Sequence, residues 1–137
     1  MLALLAVPAL SLAGQDNNGT ASLVHVGLNP SACTTVPGTD SGVVNAHLNA
    51  VQDRFGLNVS VHDALPNQTY VVDIRCQGQI GTLTTNGQGT GTAHIDLTAS
   101  TSGPATEPFY IDISVLGGGG GSGGYGDTFL AGPFNLG

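Results

Sequence analysis

With 137 residues, 40% of them hydrophobic and 8% charged, the chain has material for one packed core and draws its polar surface from Thr, Ser, Asn, Gln and Gly. The formal net charge is −7, Arg54 and Arg75 are the only strong cations, and there is no lysine. This excludes a counterion-displacing nucleic-acid surface, disfavours anionic membranes, and removes Schiff-base and lysine isopeptide chemistry.

Residues 1–14, MLALLAVPALSLAG, are an apolar run ending in Ser11-Leu12-Ala13 before Gly14. This matches the apolar region and cleavage site of a secretory signal, although no basic residue precedes it. If retained, Ala9-Leu10-Ser11-Leu12-Ala13 alternates as a β-strand does and would need a groove to fill, in its own domain or a neighbour's. Both readings stand at this point, and the run is too short for a helix to span a bilayer. Residues 15–137 then form a single domain.

From Gly14 onward apolar residues recur at period two. A first strand is expected over 20–28, with Val24, Val26 and Leu28 inward, ended by Asn29-Pro30. The Pro-, Thr- and Gly-rich segment 31–42 carries Cys33 and reads as a loop. Strands over 43–50 and 55–63 bury Val44, Ala46 and Leu48 against Phe55, Leu57, Val59 and Val61, with Leu48 expected opposite Leu57 across a hairpin. A strand over 69–76 directs Tyr70, Val72, Ile74 and Cys76 inward. Strands over 79–85 and 90–98 flank the turn Asn86-Gly87-Gln88-Gly89, with Ala93, Ile95 and Leu97 inward in the second. After a loop over 99–108, Phe109, Ile111, Ile113 and Val115 mark another inward face. The glycine tract 117–126 connects it to a last strand over 129–136, leaving no C-terminal membrane span. Some seven to eight short strands at this spacing predict an all-β fold, an antiparallel two-sheet β-sandwich.

The run Leu65-Pro66-Asn67-Gln68-Thr69-Tyr70-Val71-Val72-Asp73-Ile74 resembles a segment of fibronectin-type and other secreted bacterial immunoglobulin-like domains, in which Leu and Pro precede a strand-opening tyrosine. The run 81–93, GTLTTNGQGTGTA, is similar to hairpins of such domains. The resemblance covers about a quarter of the chain and implies an immunoglobulin-like architecture with no catalytic residues. At least four strands follow the tyrosine strand, where the fibronectin pattern has one, so the strand order must differ.

Cys33 and Cys76 are expected to pair in an exported protein, the alternative being two buried thiols. His25, His47, His62 and His94 all fall on faces expected to be polar. His47 and His62 are set roughly 13 Å apart by the expected register, too far to share a metal ion. His94 and Asp96 share a face, which Asp112 of a neighbouring strand would approach, but an ordinary solvated face is the simpler reading. Asp73, Asp96 and Asp112 are expected in solvent. Glu107 is the only glutamate and sits in a loop. There is no nucleophile elbow, and the glycine tract lacks the Lys-Ser/Thr ending of a phosphate loop. Phe55, Tyr70, Phe109, Phe129 and Phe134 are expected in the core, leaving Tyr110 and Tyr125 exposed and no tryptophan platform for sugars. Asn18, Asn58 and Asn67 head glycosylation sequons.

These readings lead to a non-enzymatic extracellular or cell-surface protein without cofactors or metals. The expected role is a fibre, appendage or adhesion subunit. Its partners would be its own copies, through the N-terminal strand, or other surface proteins. The alternative is a soluble secreted module that binds a ligand or carbohydrate.

Overall fold

The computed structural model describes residues 16–28, 33, 37–115 and 127–137. The apolar segment 1–14 and the glycine tract 117–126 lie outside the described residues, as does Tyr125. The rest is all-β: β1 (Asp16–Leu28), β2 (Thr39–Asn49), β3 (Arg54–Val61), β4 (Thr69–Ile74), β5 (Gly78–Thr84), β6 (Gly91–Thr98), β7 (Phe109–Val115) and β8 (Asp127–Phe134). A single helical turn, α1 (Ala99–Ser102), interrupts the loop between β6 and β7.

All neighbouring strands are antiparallel, and hydrogen bonding runs through one eight-stranded sheet in the order β5-β4-β7-β8-β1-β2-β3-β6. In place of the two separate sheets expected from sequence, the described strands form one continuous sheet, with β1 fifth in the order. Strand β1 pairs with β2 from Asp16 to His25, with a register shift between Ser22 and Val24, and with β8 from Leu23 to Leu28. The sheet curls until Phe55 of β3 meets Phe109 of β7 edge-on, with ring centroids 5.6 Å apart. Phe109 stacks on Phe134 at 5.2 Å, and Tyr70 meets Phe129 at 5.8 Å. Edge-to-face aromatic pairs of this kind add roughly 0.5–1.5 kcal/mol to the burial of their area.

Period-two alternation placed most of this core correctly. Val44, Ala46, Phe55, Leu57, Val59, Val61, Tyr70, Val72, Ile74, Phe109, Ile111 and Ile113 are all buried. In β1 the face is reversed: Leu23 is buried in the core and Ala21 packs against it, while Val24 lies opposite Leu130 on the other side of the sheet. Residues 21–28 are apolar on both faces, so alternation alone does not choose between them.

The β2–β3 register is also corrected. Leu48 faces Phe55 and Ala46 faces Leu57, two residues from the expected match. The shift keeps both apolar sets inward and extends the ladder to Asn49–Arg54, closing a turn over 50–53 in which Asp53 takes φ 56°. Strand β4 ends at Ile74, before Cys76. Cys76 is exposed rather than inward, at φ 62° in a turn closed by Gln77 N–H donating to Ile74 O at 2.8 Å. It is bonded to Cys33, with Cα atoms 5.8 Å apart, so the staple lies outside the core. That disulfide is compatible with an extracellular protein, and no described helix is long and apolar enough to cross a membrane.

Candidate functional site

Strands β1, β2, β3 and β6 are adjacent, and between residues 16 and 22 of β1 their registers run without a bulge. Outward side chains therefore align in rows across four strands. One row is Asn18, His47, Gly56 and Asp96; the next is Thr20, Asn45, Asn58 and His94; a third is Ser22, Val43, Ser60 and Thr92. Thr20 Oγ1 donates to Asn45 Oδ1 at 2.7 Å, and His94 Nδ1 donates to Asn58 Oδ1 at 2.7 Å. Arg54 forms a two-pronged ion pair with Asp96, with Nε 3.1 Å from Oδ1. Val43, Asn45, Asn58, Ser60, Thr92 and His94 line a shallow depression in this face. The surface offers amide, hydroxyl and imidazole groups in register, suited to hydrogen-bonding a second surface or a polyhydroxylated ligand.

A second polar cluster lies across β4, β8 and β1. Tyr70, fully buried, accepts a hydrogen bond from Leu65 N–H at 3.0 Å and donates one to Asp127 Oδ2 at 2.8 Å. The tyrosine hydroxyl thus bonds back to the backbone five residues upstream. Asp127 also pairs with His25 Nε2, whose ring packs on Phe129 at 4.6 Å. Burial, and then the Asp127 carboxylate, push the Tyr70 phenol well above its ordinary range, against the lowering effect of Leu65 N–H, so it remains a donor. His25 was expected on a polar face. It shares the inward parity of Ala21 and Leu23, the set that the reading of β1 passed over. Tyr70→Phe would strand the Leu65 amide and one Asp127 oxygen, and should lower unfolding free energy by about 2 kcal/mol. Urea denaturation near neutral pH measures this, and a loss within error of zero would show the hydroxyl to be dispensable.

A third cluster sits on the outer side of β4 and β7, where Asp73 and Asp112 are directly opposed. Arg75 NH1 donates to Asp112 Oδ2 at 3.1 Å, and both side chains are over nine-tenths buried. Asp112 was expected in solvent. Outward parity is retained, but Arg75, from the turn after β4, takes the ion pair under cover. Burial first, and the Asp73 charge second, raise the Asp112 carboxyl to about 7, with Arg75 opposing. Burial raises Asp73 as well, while a hydrogen bond from Asp112 and the charge of Arg75 lower it, so the proton of the pair belongs on Asp112.

The remaining candidates disperse. His94 and Asp96 stand on β6, separated from Asp112 of β7 by four intervening strands in sheet order. His47 pairs with Gly56 and Asn18, and His62 N–H bonds Ser41 O at 2.8 Å. With Ser41 opposite His62, the two histidines are six residues out of register, about 20 Å at ~3.3 Å per residue. Among the described residues no group of three His, Cys, Asp or Glu is placed to hold a metal ion. Glu107 Oε1 accepts the N–H groups of Leu136 and Gly137 at 3.0 Å each, tying down the chain end. Phe55, Phe109, Phe129 and Phe134 are core residues, Tyr110 is half-buried, and Asn18, Asn58 and Asn67 are exposed.

No protein-family model matches this chain, and no curated protein matches it. Function therefore rests on the residues themselves. The His25–Asp127–Tyr70 and Arg75–Asp112–Asp73 clusters were missed because each depends on which strands become neighbours. The rows on β1, β2, β3 and β6 were legible as polar alternation, although not as aligned rows.

Proposed function

We propose that this protein is a non-enzymatic extracellular structural subunit, of immunoglobulin-like sandwich type, that works in a surface fibre, appendage or adhesive layer by associating with its own copies or with other surface proteins. The carrying observation is the edge formed by β6. It is eight residues long, pairs with β3 without a bulge, and contains no lysine or proline to deter an added strand. The buried aromatic side chains and the Cys33–Cys76 staple support a domain built to persist outside the cell. Exposed Asn18, Asn58 and Asn67 are the proposed glycan acceptors in a host that makes N-glycans.

The test is sedimentation and electron microscopy of the exported protein, together with its intact mass. Oligomers or fibres are expected. A start near Met1, with assembly lost on deleting residues 1–13, assigns the contact to a donated N-terminal strand. A start at Gly14 rules that form out and leaves the sheet edge and faces. A strictly monomeric protein that binds specific sugars on a glycan array would replace this reading with the soluble module, its ligand seated in the depression beside Asn58 and His94.

A further inference from the structure

We infer that β6 is a homotypic assembly edge, on which β6 of a second copy adds antiparallel with Ile95 opposite Ile95. This rests on the self-association reading above and names its contact. Three observations carry it. First, β6 bonds to β3 over all eight residues from Gly91 to Thr98, and among the described residues its other side belongs to no ladder. Strand β5 comes close at the start of β6, where a Cβ on Gly91 would stand 2.7 Å from Thr84 O, and beyond it the contact is through the Ile95 side chain, whose Cδ1 lies 2.8 Å from where a Cβ on Gly81 would stand. The turn α1 is tied to the β2–β3 turn on the β3 side, with Ala99 N–H on Asp53 O at 2.9 Å and Ser100 Oγ on Asp53 Oδ2 at 2.7 Å.

Second, the two edges of the sheet are protected differently. Strand β5 is bulged against β4 between Val72 and Asp73 and opens on Gly78 at φ 152°. Strand β6 has neither device, and its inward Ala93 and Leu97 are only half-buried, leaving apolar surface that an added strand would cover.

Third, the β6 sequence is self-complementary in one register. Opposed residues of an antiparallel pair lie on the same face, so a two-fold axis must pass through a residue. Through Ile95 it sets Ile95 on Ile95, Ala93 on Leu97, Thr92 on Thr98 and His94 on Asp96, each unlike pair occurring twice. Through His94 it would set imidazole on imidazole and Thr92 on Asp96; through Asp96, carboxylate on carboxylate. Of these three axes the Ile95 axis alone sets no titratable side chain against its own copy. His94 Nδ1 already donates to Asn58, leaving Nε2 for the carboxylate of the second copy, while Arg54 holds Asp96 in its own sheet. The product is a closed dimer with a continuous sheet. A contact of one strand pair should give a dissociation constant in the micromolar range, on the order of 1–100 μM.

The test uses the exported full chain, in which the native cysteines are bonded to each other and do not compete. Thr92→Cys combined with Thr98→Cys should yield a covalent dimer on mild oxidation, since those positions oppose each other only in this register. His94→Asp alone and Asp96→His alone should each weaken association about tenfold by opposing like groups, and mixing the two variants should restore it. Association that persists with no Thr92–Thr98 crosslink and no effect of His94→Asp would overturn this edge while leaving the assembly reading in place. A protein monomeric at every concentration would overturn both. A covalent dimer from His94→Cys alone would show the axis one residue away and defeat the register proposed.

Discussion

Replacing Cys33 with alanine and Cys76 with glycine should lower unfolding free energy by about 4 kcal/mol and the melting temperature by about 15 °C. The bridge joins positions 43 apart in sequence, and the loop it closes contains all of β2, β3 and β4. Opening it releases an unfolded chain that the bond had restricted, with little change in core packing, because Cys76 is exposed on the turn after β4. Glycine is the appropriate replacement at position 76, where φ is 62° and an alanine would keep a left-handed backbone that favours glycine. Chemical denaturation of this variant beside the native protein measures the effect. A loss below about 1 kcal/mol would mean that β4 and the segment around Cys33 are held by other contacts, contrary to the chain-entropy estimate.

Arg75→Met should cost about 3–5 kcal/mol at pH 7.5, because it leaves Asp112 and Asp73 facing each other under cover with no cation. The same cluster gives the native protein an unusual pH dependence. The Asp112 carboxyl lies at about 7 when folded, above its ordinary value near 4. Between those two values the folded state holds more protons than the unfolded one, so this group's contribution to stability is greatest below about pH 4 and is lost as pH rises through about 7. Asp73, also raised, acts in the same direction. The midpoint in urea should therefore be higher at pH 4.5 than at pH 7.5, by the equivalent of about 2–4 kcal/mol, and Asp112→Asn should flatten the slope. The Arg75→Met penalty should shrink at pH 4.5, where both carboxyls can be neutral. A native midpoint that climbs steadily from pH 4.5 to 7.5 would contradict the assignment of a proton to Asp112.

These effects arise where local sequence was least informative. Cys76 continues the inward parity of Tyr70, Val72 and Ile74, and nothing in its neighbours announces that the strand stops at Ile74. Asp112 keeps the outward parity expected of it and is buried all the same, since Arg75 arrives from a different strand's turn. Parity describes one strand, whereas burial depends on what crosses it.

The residue order alone determined that the chain is all-β, where most strands lie, and which residues of β2, β3, β4 and β7 face inward. Those properties follow from side-chain alternation and turn chemistry within a few residues. Only the tertiary structure decided that the strands join into one sheet, that Leu48 meets Phe55, that His25 and Asp127 converge on Tyr70, and that among the described residues β6 has a ladder partner on one side alone. A period of two is unchanged by a slip of two residues or an exchange of neighbours, so partner and register are set by packing across the whole core.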